Sequence, residues 1–215
     1  VRTYRVSEVY ATIQGEGQLT GTPVVLLRLQ GCTVGCPWCD TKHSWPLDAT
    51  RLEKLEHTPE EIFRLVRNVS HEEKWVLLTG GEPCEQSPLR PLVAELRKRW
   101  RVMLETSGTD ALDCPELIDH ICCSPKANMP GGKGLIAKTL LDAHEVKFVV
   151  GKSEDLSKAS DLVDKLGLRN DRVSLQPLGS KDRAAGDITT SLCMDWAAQR
   201  GWRVSIQTHK LIGVP

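Results

Sequence analysis

The sequence predicts an α/β protein, and three observations point there. Short apolar, β-branched runs alternate with helical stretches, and polar or glycine-rich clusters follow the runs. Such alternation builds βαβ units and therefore a parallel sheet. Six or seven runs are too few to close a (β/α)8 barrel of typical ~250-residue size. An open, partial barrel or a doubly wound sheet is expected, and both carry their chemistry at the carboxyl ends of the strands.

Pro23–Gln30 reads as a strand stopped by Gly31. Thr58-Pro59-Glu60-Glu61 opens a helix with an N-cap, a proline at the first helical position and a glutamate placed to close a capping box. Ile62, Leu65, Val66 and Val69 then form its apolar face. Trp75–Thr79 is a strand ended by Gly80-Gly81, Leu89–Trp100 a helix and Arg101–Thr106 a strand. Ile121–Cys123, Glu145–Val150, Val173–Gln176 and Arg203–Gln207 continue the strands. Helices over Leu135–Ala143, Ser153–Leu166 and Thr189–Arg200 fill the intervals, with Ser153 as an N-cap and Gly167 as a helix-ending residue. The clusters that follow strands are Gly31–Asp40, Thr79–Pro83, Glu105–Gly108, Ser124–Lys126 and Gln176–Gly179.

Composition narrows the function classes. Of 215 residues, 40% are hydrophobic and 26% charged, and 28 Lys+Arg balance 28 Asp+Glu. An ordinary globular composition of zero formal charge argues against disorder and against a nucleic-acid partner. No apolar run approaches the ~20 residues of a membrane span, so no membrane partner is expected. The opening Val-Arg-Thr-Tyr lacks a signal-peptide core. The expectation is one cytoplasmic domain over residues 1–215.

Eight cysteines sharpen the picture. Cys32, Cys36 and Cys39 form a C-x3-C-x2-C run directly after the first strand, while Cys84, Cys114, Cys122, Cys123 and Cys193 are scattered and read as buried apolar side chains. Thiolates suit zinc or an iron–sulfur cluster. A Cys3His zinc site would recruit His43. Three ligands wrapped around one point of one loop favour a cluster with one iron left open, but spacing leaves cluster, zinc and plain thiols all standing.

The cysteine run, together with Gly80-Gly81-Glu82-Pro83 after the next strand, resembles the radical S-adenosylmethionine (SAM) superfamily. Further matches narrow the likeness to the 7-carboxy-7-deazaguanine synthase family: Thr12–Gly17, Arg28, Cys39-Asp40-Thr41, Glu105-Thr106, Ser124-Pro125-Lys126, Gln176-Pro177 and Gln207–Pro215. The resemblance runs from near residue 7 to residue 215. It implies a shortened, open partial (β/α) TIM-type barrel, usually a homodimer. The implied reaction is ring contraction of 6-carboxy-5,6,7,8-tetrahydropterin to 7-carboxy-7-deazaguanine with loss of ammonia, on the route to queuosine and related deazapurines. The implied cofactors are a [4Fe–4S] cluster, SAM and Mg2+, with SAM regenerated after turnover and a flavodoxin- or ferredoxin-type protein as reductant.

By the same resemblance Cys32, Cys36 and Cys39 ligate the cluster, and Thr41 shares Mg2+ with oxygens of the substrate. Trp38, Cys39, Asp40, Gly81, Glu82, Glu105, Ser124, Pro125, Lys126 and the segment Gln176, Pro177, Leu178, Gly179 surround SAM. Ile13, Gln14 and Gly15 lie along the pterin, Arg28 anchors its carboxylate, Thr79 hydrogen-bonds it, and the carboxylate of Pro215 folds back onto it. Glu16 and His209 are the catalytic candidates. Read without the family, each has an ordinary alternative: Glu82 as an exposed loop carboxylate, Glu105 as a paired rim carboxylate, Arg28 as a surface-facing strand residue, and Thr41 as a turn residue. Ser107 stands where relatives often have an amide and is given no role, and Ala127–Gly134 reads as a flexible glycine-rich loop. A glycyl-radical-enzyme activase, with the same cysteine spacing, is the nearest rival.

Overall fold

The structure is a computed structural model and describes residues 2–45, 55–179 and 183–214. Its strands are β1 (Tyr4–Ile13), β2 (Pro23–Leu29), β3 (Glu56–His57), β4 (Trp75–Gly80), β5 (Arg101–Thr106), β6 (His120–Cys123), β7 (Glu145–Val150), β8 (Val173–Pro177) and β9 (Arg203–Val204). They form one sheet in the order β3-β1-β2-β4-β5-β6-β7-β8-β9. From β2 across to β9 every pairing is parallel, whereas β1 runs antiparallel to both β2 and β3. The helices are α1 (Pro59–Val69), α2 (Arg90–Leu96), α3 (Ala137–Asp142), α4 (Ser153–Leu166), α5 (Arg183–Arg200) and α6 (Thr208–Ile212). The result is an open, partial α/β barrel with helices on its outer face.

Alternation along the strands sorts side chains between the two faces. Val25, Leu27, Leu29, Val76, Leu78, Val102, Leu104, Val146 and Val173 point outward into the main core, against Ile62 and Val66 of α1, Leu92 and Leu96 of α2, and Leu156 and Val163 of α4. The inner face begins with a small apolar floor of Val24, Leu26, Leu77 and Met103, roofed by Tyr10, Leu19 and Trp75. Above that floor the inner face carries Arg28 on β2, Thr79 on β4, Glu105 on β5, Cys122 on β6, Lys147 on β7 and Gln176 on β8.

Local signals explain most boundaries. The capping box of α1 is complete: Glu61 N donates to Thr58 Oγ1 at 3.3 Å, and Thr58 N donates to Glu61 Oε2 at 2.8 Å. Gly167 ends α4 in the left-handed region at φ 64°. Ser153, expected as the N-cap, is instead the first helical residue, and Lys152 caps. Asp155 Oδ2 accepts the N–H groups of Gly151 and Lys152 at 2.9 and 3.1 Å, which starts the turn earlier.

Other boundaries move as well. Helix α2 ends at Leu96, where tighter i→i+3 bonds to Glu95 O and Leu96 O take over before Trp100. α3 starts only at Ala137 because Ile136 N is bonded back to Gly108 O at 2.8 Å. α5 begins at Arg183 rather than Thr189. The strand expected over Arg203–Gln207 stops at Val204, and the chain turns into α6. β1 and β3 were not expected: β1 is a half-exposed edge ribbon whose buried positions do not alternate along its length, and β3 is two residues long. All five scattered cysteines are buried and free, as read. Among the described residues no helix is long and apolar enough to cross a membrane.

Candidate active site

The polar inner ring opens into a cavity of about 400 Å3 at the carboxyl ends of the parallel strands. Cys32, Cys36 and Cys39 line one wall of it, half-buried on the loop after β2. The start of that loop is pinned by Gly31 N donating to Ser44 O at 2.7 Å and by Glu82 N donating to Gly31 O at 2.9 Å. Gly81 lies so close that a Cβ there would sit 1.9 Å from Gly31 O, so only glycine fits. Burial pushes the Cys32 thiol up to about 11, with Glu85 and Glu82 adding to it, and burial raises Cys36 as well.

The glycine-rich stretch Ala127–Gly134 braces this loop from the other side. Gly131 N donates to Val34 O at 3.0 Å, and a Cβ on Gly131 would meet Thr33 O at 1.9 Å. Lys133 bridges Glu85 and Asp110 at 2.8 Å each, and Glu85 in turn accepts from Thr33 N and Oγ1 at 2.9 and 2.6 Å. The loop expected to be flexible is therefore tied down by the segment it covers.

Donor chemistry tests the two metal readings. Among the described residues no three His, Cys, Asp or Glu side chains converge on a point where a single ion would sit. His43 turns away and faces Glu8 Oε2 at 3.4 Å, which leaves a Cys3His zinc site without its fourth ligand. Three soft thiols that each address a different iron of one cube need no common point, so the loop fits a cluster.

Gln14, Gly15 and Glu16 form the opposite wall. Gln14 Nε2 donates to Glu105 Oε1 at 3.1 Å, while its Oε1 accepts from Glu16 N at 3.1 Å. Thr79 Oγ1 donates to the other Glu105 oxygen at 3.3 Å. Gly15 packs so tightly on His209 that a Cβ would fall 1.9 Å from Nδ1. Glu16 ion-pairs with Lys147 and accepts from Gln207 Nε2 at 2.7 Å. Burial alone would raise the Glu16 carboxyl, but the Lys147 ammonium holds it well below the usual carboxylate range. Arg28 donates to Glu8 Oε2 at 2.5 Å and to Gly80 O at 3.1 Å, with its guanidinium on the cavity wall rather than facing solvent.

Glu82 is not an exposed loop carboxylate. Its oxygens accept from Thr106 Oγ1 at 2.7 Å, Cys84 N at 3.0 Å and Ser107 N at 2.6 Å, which clamps the end of β4 to the end of β5. Lys126 Nζ folds onto Ser124, with O and Oγ at 3.0 and 2.5 Å, and burial lowers its pKa. Thr41 Oγ1 lies 3.5 Å from Cys39 Sγ, and Asp40 pairs with Lys210 at 2.5 Å. Trp38, Gln176, Pro177, Leu178 and Gly179 also line the cavity. Pro125 does not: it borders a neighbouring hollow that shares Trp38, Lys126, Val149 and Leu178 with the first. Pro215 lies outside the described residues.

Lys147 and Gln207 were missed as site residues. The signal for Lys147 was present, since Glu145, Lys147 and Val149 share one face of a strand whose other face is apolar. Gln207 opens the terminal segment that carries the family resemblance, but it was given no role of its own.

The model of the radical SAM superfamily matches residues 26–122. The 7-carboxy-7-deazaguanine synthase of Escherichia coli (strain K12) is 36% identical, over 98% of this chain and 99% of that protein. The synthase of Buchnera aphidicola is 33% identical over 98% and 99%. The crystal structure of QueE from Escherichia coli superposes with a TM-score of 0.84 at 35% identity, covering 96% of this chain and 95% of the other.

Proposed function

The chain belongs to the 7-carboxy-7-deazaguanine synthase family of radical SAM enzymes, and we propose how its rim cavity divides the work of that family's reaction. The reaction is the ring contraction of 6-carboxy-5,6,7,8-tetrahydropterin to 7-carboxy-7-deazaguanine with loss of ammonia, in queuosine and deazapurine biosynthesis. This membership replaces the activase alternative. Bound in that cavity, a [4Fe–4S] cluster and SAM would supply the radical that starts the reaction.

Cys32, Cys36 and Cys39 hold that cluster, as their softness and shared loop support. Trp38, Cys39, Asp40, Gly81, Glu105, Ser124, Lys126 and the Gln176–Gly179 turn shape the SAM recess, because all of them line the same cavity. Pro125 fixes the turn between Ser124 and Lys126, and Glu82 acts through the two strand ends it joins.

The pterin lies between Ile13-Gln14-Gly15 and the inner strands. Arg28 anchors its carboxylate through a charge-assisted contact, and Thr79 and Gln14 meet its polar edge. Glu16, held ionised, only accepts hydrogen bonds, which leaves His209 beside it as the group that can both give and take a proton. Thr41, on the cavity wall, is the residue that would hold Mg2+, through its hydroxyl.

The whole chain acts as one domain and takes electrons from a flavodoxin- or ferredoxin-type donor in the cytoplasm. It pairs as a homodimer, which the solvent-facing Ile188, Met194, Ile206, Leu211 and Ile212 favour.

One observation carries this reading: the three cysteines, Gly81, Gln14–Glu16, Arg28 and His209 face a single cavity at one rim. The test is an anaerobic incubation of cluster-loaded protein with SAM, dithionite, Mg2+ and 6-carboxytetrahydropterin, followed by mass spectrometry. Deazaguanine in excess of SAM consumed is expected. Deoxyadenosine without it would overturn the substrate assignment.

A further inference from the structure

Lys147 is the most deeply buried cation on the cavity wall, its side chain only 4% exposed. It rises from the inner face of β7, and its ammonium meets Glu16 Oε2. The other carboxylate oxygen, Oε1, takes its hydrogen bond from Gln207 Nε2. Two donors from two distant elements therefore grip one carboxylate. The backbone on either side is fixed too: Gly15 O accepts from Thr208 N at 2.9 Å, and Gly17 N donates to Ser205 Oγ at 2.8 Å.

A buried ion pair contributes little net stability, because desolvating two charges offsets their attraction. Its placement points elsewhere. Glu16 lies on the wall assigned to the pterin, whose ring edge carries N–H donors. An ionised carboxylate accepts from such donors, whereas a protonated one presents its own O–H against them. The other titratable groups around the pair are Glu105 on β5, Cys122 on β6, Lys126 after β6, Glu145 on β7 and His209 on α6.

We propose that Lys147 is a positioning residue for the ring contraction: with Gln207 it grips Glu16, and keeps that carboxylate an acceptor turned toward an N–H edge of the pterin. The inference rests on the function proposed above.

The test compares wild type with Lys147→Met, Lys147→Arg, Glu16→Gln and the Glu16→Gln/Lys147→Met double variant, all cluster-loaded. Calorimetry without reductant reads pterin affinity, and turnover reads kcat/KM against pH. Lys147→Met should weaken binding about 30-fold. It should also bring an acidic limb into the kcat/KM profile, because burial raises Glu16 once its counter-charge is gone. Lys147→Arg should restore affinity to within about threefold. Iron and sulfide per chain should match wild type in every variant.

In the Glu16→Gln background Lys147→Met should cost nothing further. That double variant leaves no Glu16 charge to orient, and it carries the test if Lys147→Met alone does not fold. Wild-type affinity and pH profile in Lys147→Met, or a full additional loss in the double variant, overturns the role of Lys147 while the function stands. No deazaguanine from wild type overturns the function and this role together.

Discussion

Glu82 shows how much one side chain can hold. It is buried and accepts three hydrogen bonds that join two adjacent strand ends behind the cysteine loop. Glu82→Gln replaces one acceptor oxygen with a donor facing an N–H or O–H. A loss of about 2 kcal/mol is expected, since a buried unsatisfied group forfeits its desolvation cost. Thermal unfolding of the cluster-free protein should show this as a drop of roughly 4–8 °C; an unchanged midpoint would remove Glu82 from the clamp. Gly15 makes the opposite case, where the absence of a side chain matters. Gly15→Ala must displace His209, whose Nδ1 would lie 1.9 Å from the new Cβ. The pterin KM should rise about tenfold with iron content unaltered, and steady-state kinetics beside an iron assay separates the two effects. At this scale the sequence was legible where residues of one chemistry share a short segment, as with the three cysteines, although their spacing alone left cluster, zinc and plain thiols standing. It said less where use depends on a distant partner: the strand pattern turns Lys147 to the inner face, but nothing local pairs it with Glu16.

Elements were legible in proportion to how local their causes are. Thr58, Pro59 and Glu61 announce α1 within four residues, and the structure contains the full capping box they imply. Thr58→Ala should cost about 1 kcal/mol, seen as a lower urea midpoint with unchanged slope; a loss below a few tenths would mean that packing of Ile62 and Val66 alone sets the helix. The strands of the parallel sheet were equally plain, being apolar runs punctuated by glycine. β1 was not, because a half-exposed ribbon mixes both faces and lacks alternation. The segment after Arg203 misled for a related reason. Its apolar alternation reads as a strand, but Thr208 N bonds to Gly15 O and Ser205 N to Leu175 O, and these tertiary bonds set its course into α6.

For the molecule as a whole, the buried charges dictate how acid unfolds it. His144 is pushed below the ordinary 6.5, chiefly by burial. Its neutral form is the folded one, so its contribution is complete above that value and declines as pH falls through it. Glu145 is drawn below 4.5 by His120 and Ser174 against the effect of burial, Glu8 below 4.5 by Arg28 against burial, and Glu16 likewise by Lys147. The stability that these carboxylates give is present above 4.5 and disappears as pH falls through their lowered values. Melting temperature should thus be level between pH ~6.5 and pH ~8, slope gently below that range and fall steeply under pH ~4.5. A midpoint flat down to pH 4 would contradict the pairing of these groups. Strand count and rim clusters, written along the chain, narrowed the fold to an open barrel or a doubly wound sheet, and the family resemblance chose the barrel. The closure of its mouth was not, because it depends on contacts between the two ends.

Those contacts set an order of assembly during synthesis. Glu16 and Gly17 leave the ribosome early, yet their partners Gln207 and Ser205 follow 191 and 188 residues later. A domain folds as a unit, so whatever local structure forms earlier, the pterin wall lacks its other half until Ser205 and Gln207 have emerged. The pocket is incomplete until that half has joined it. Translation-stalled chains should gain pterin binding only once residue 209 has cleared the exit tunnel, however complete their secondary structure is before that point.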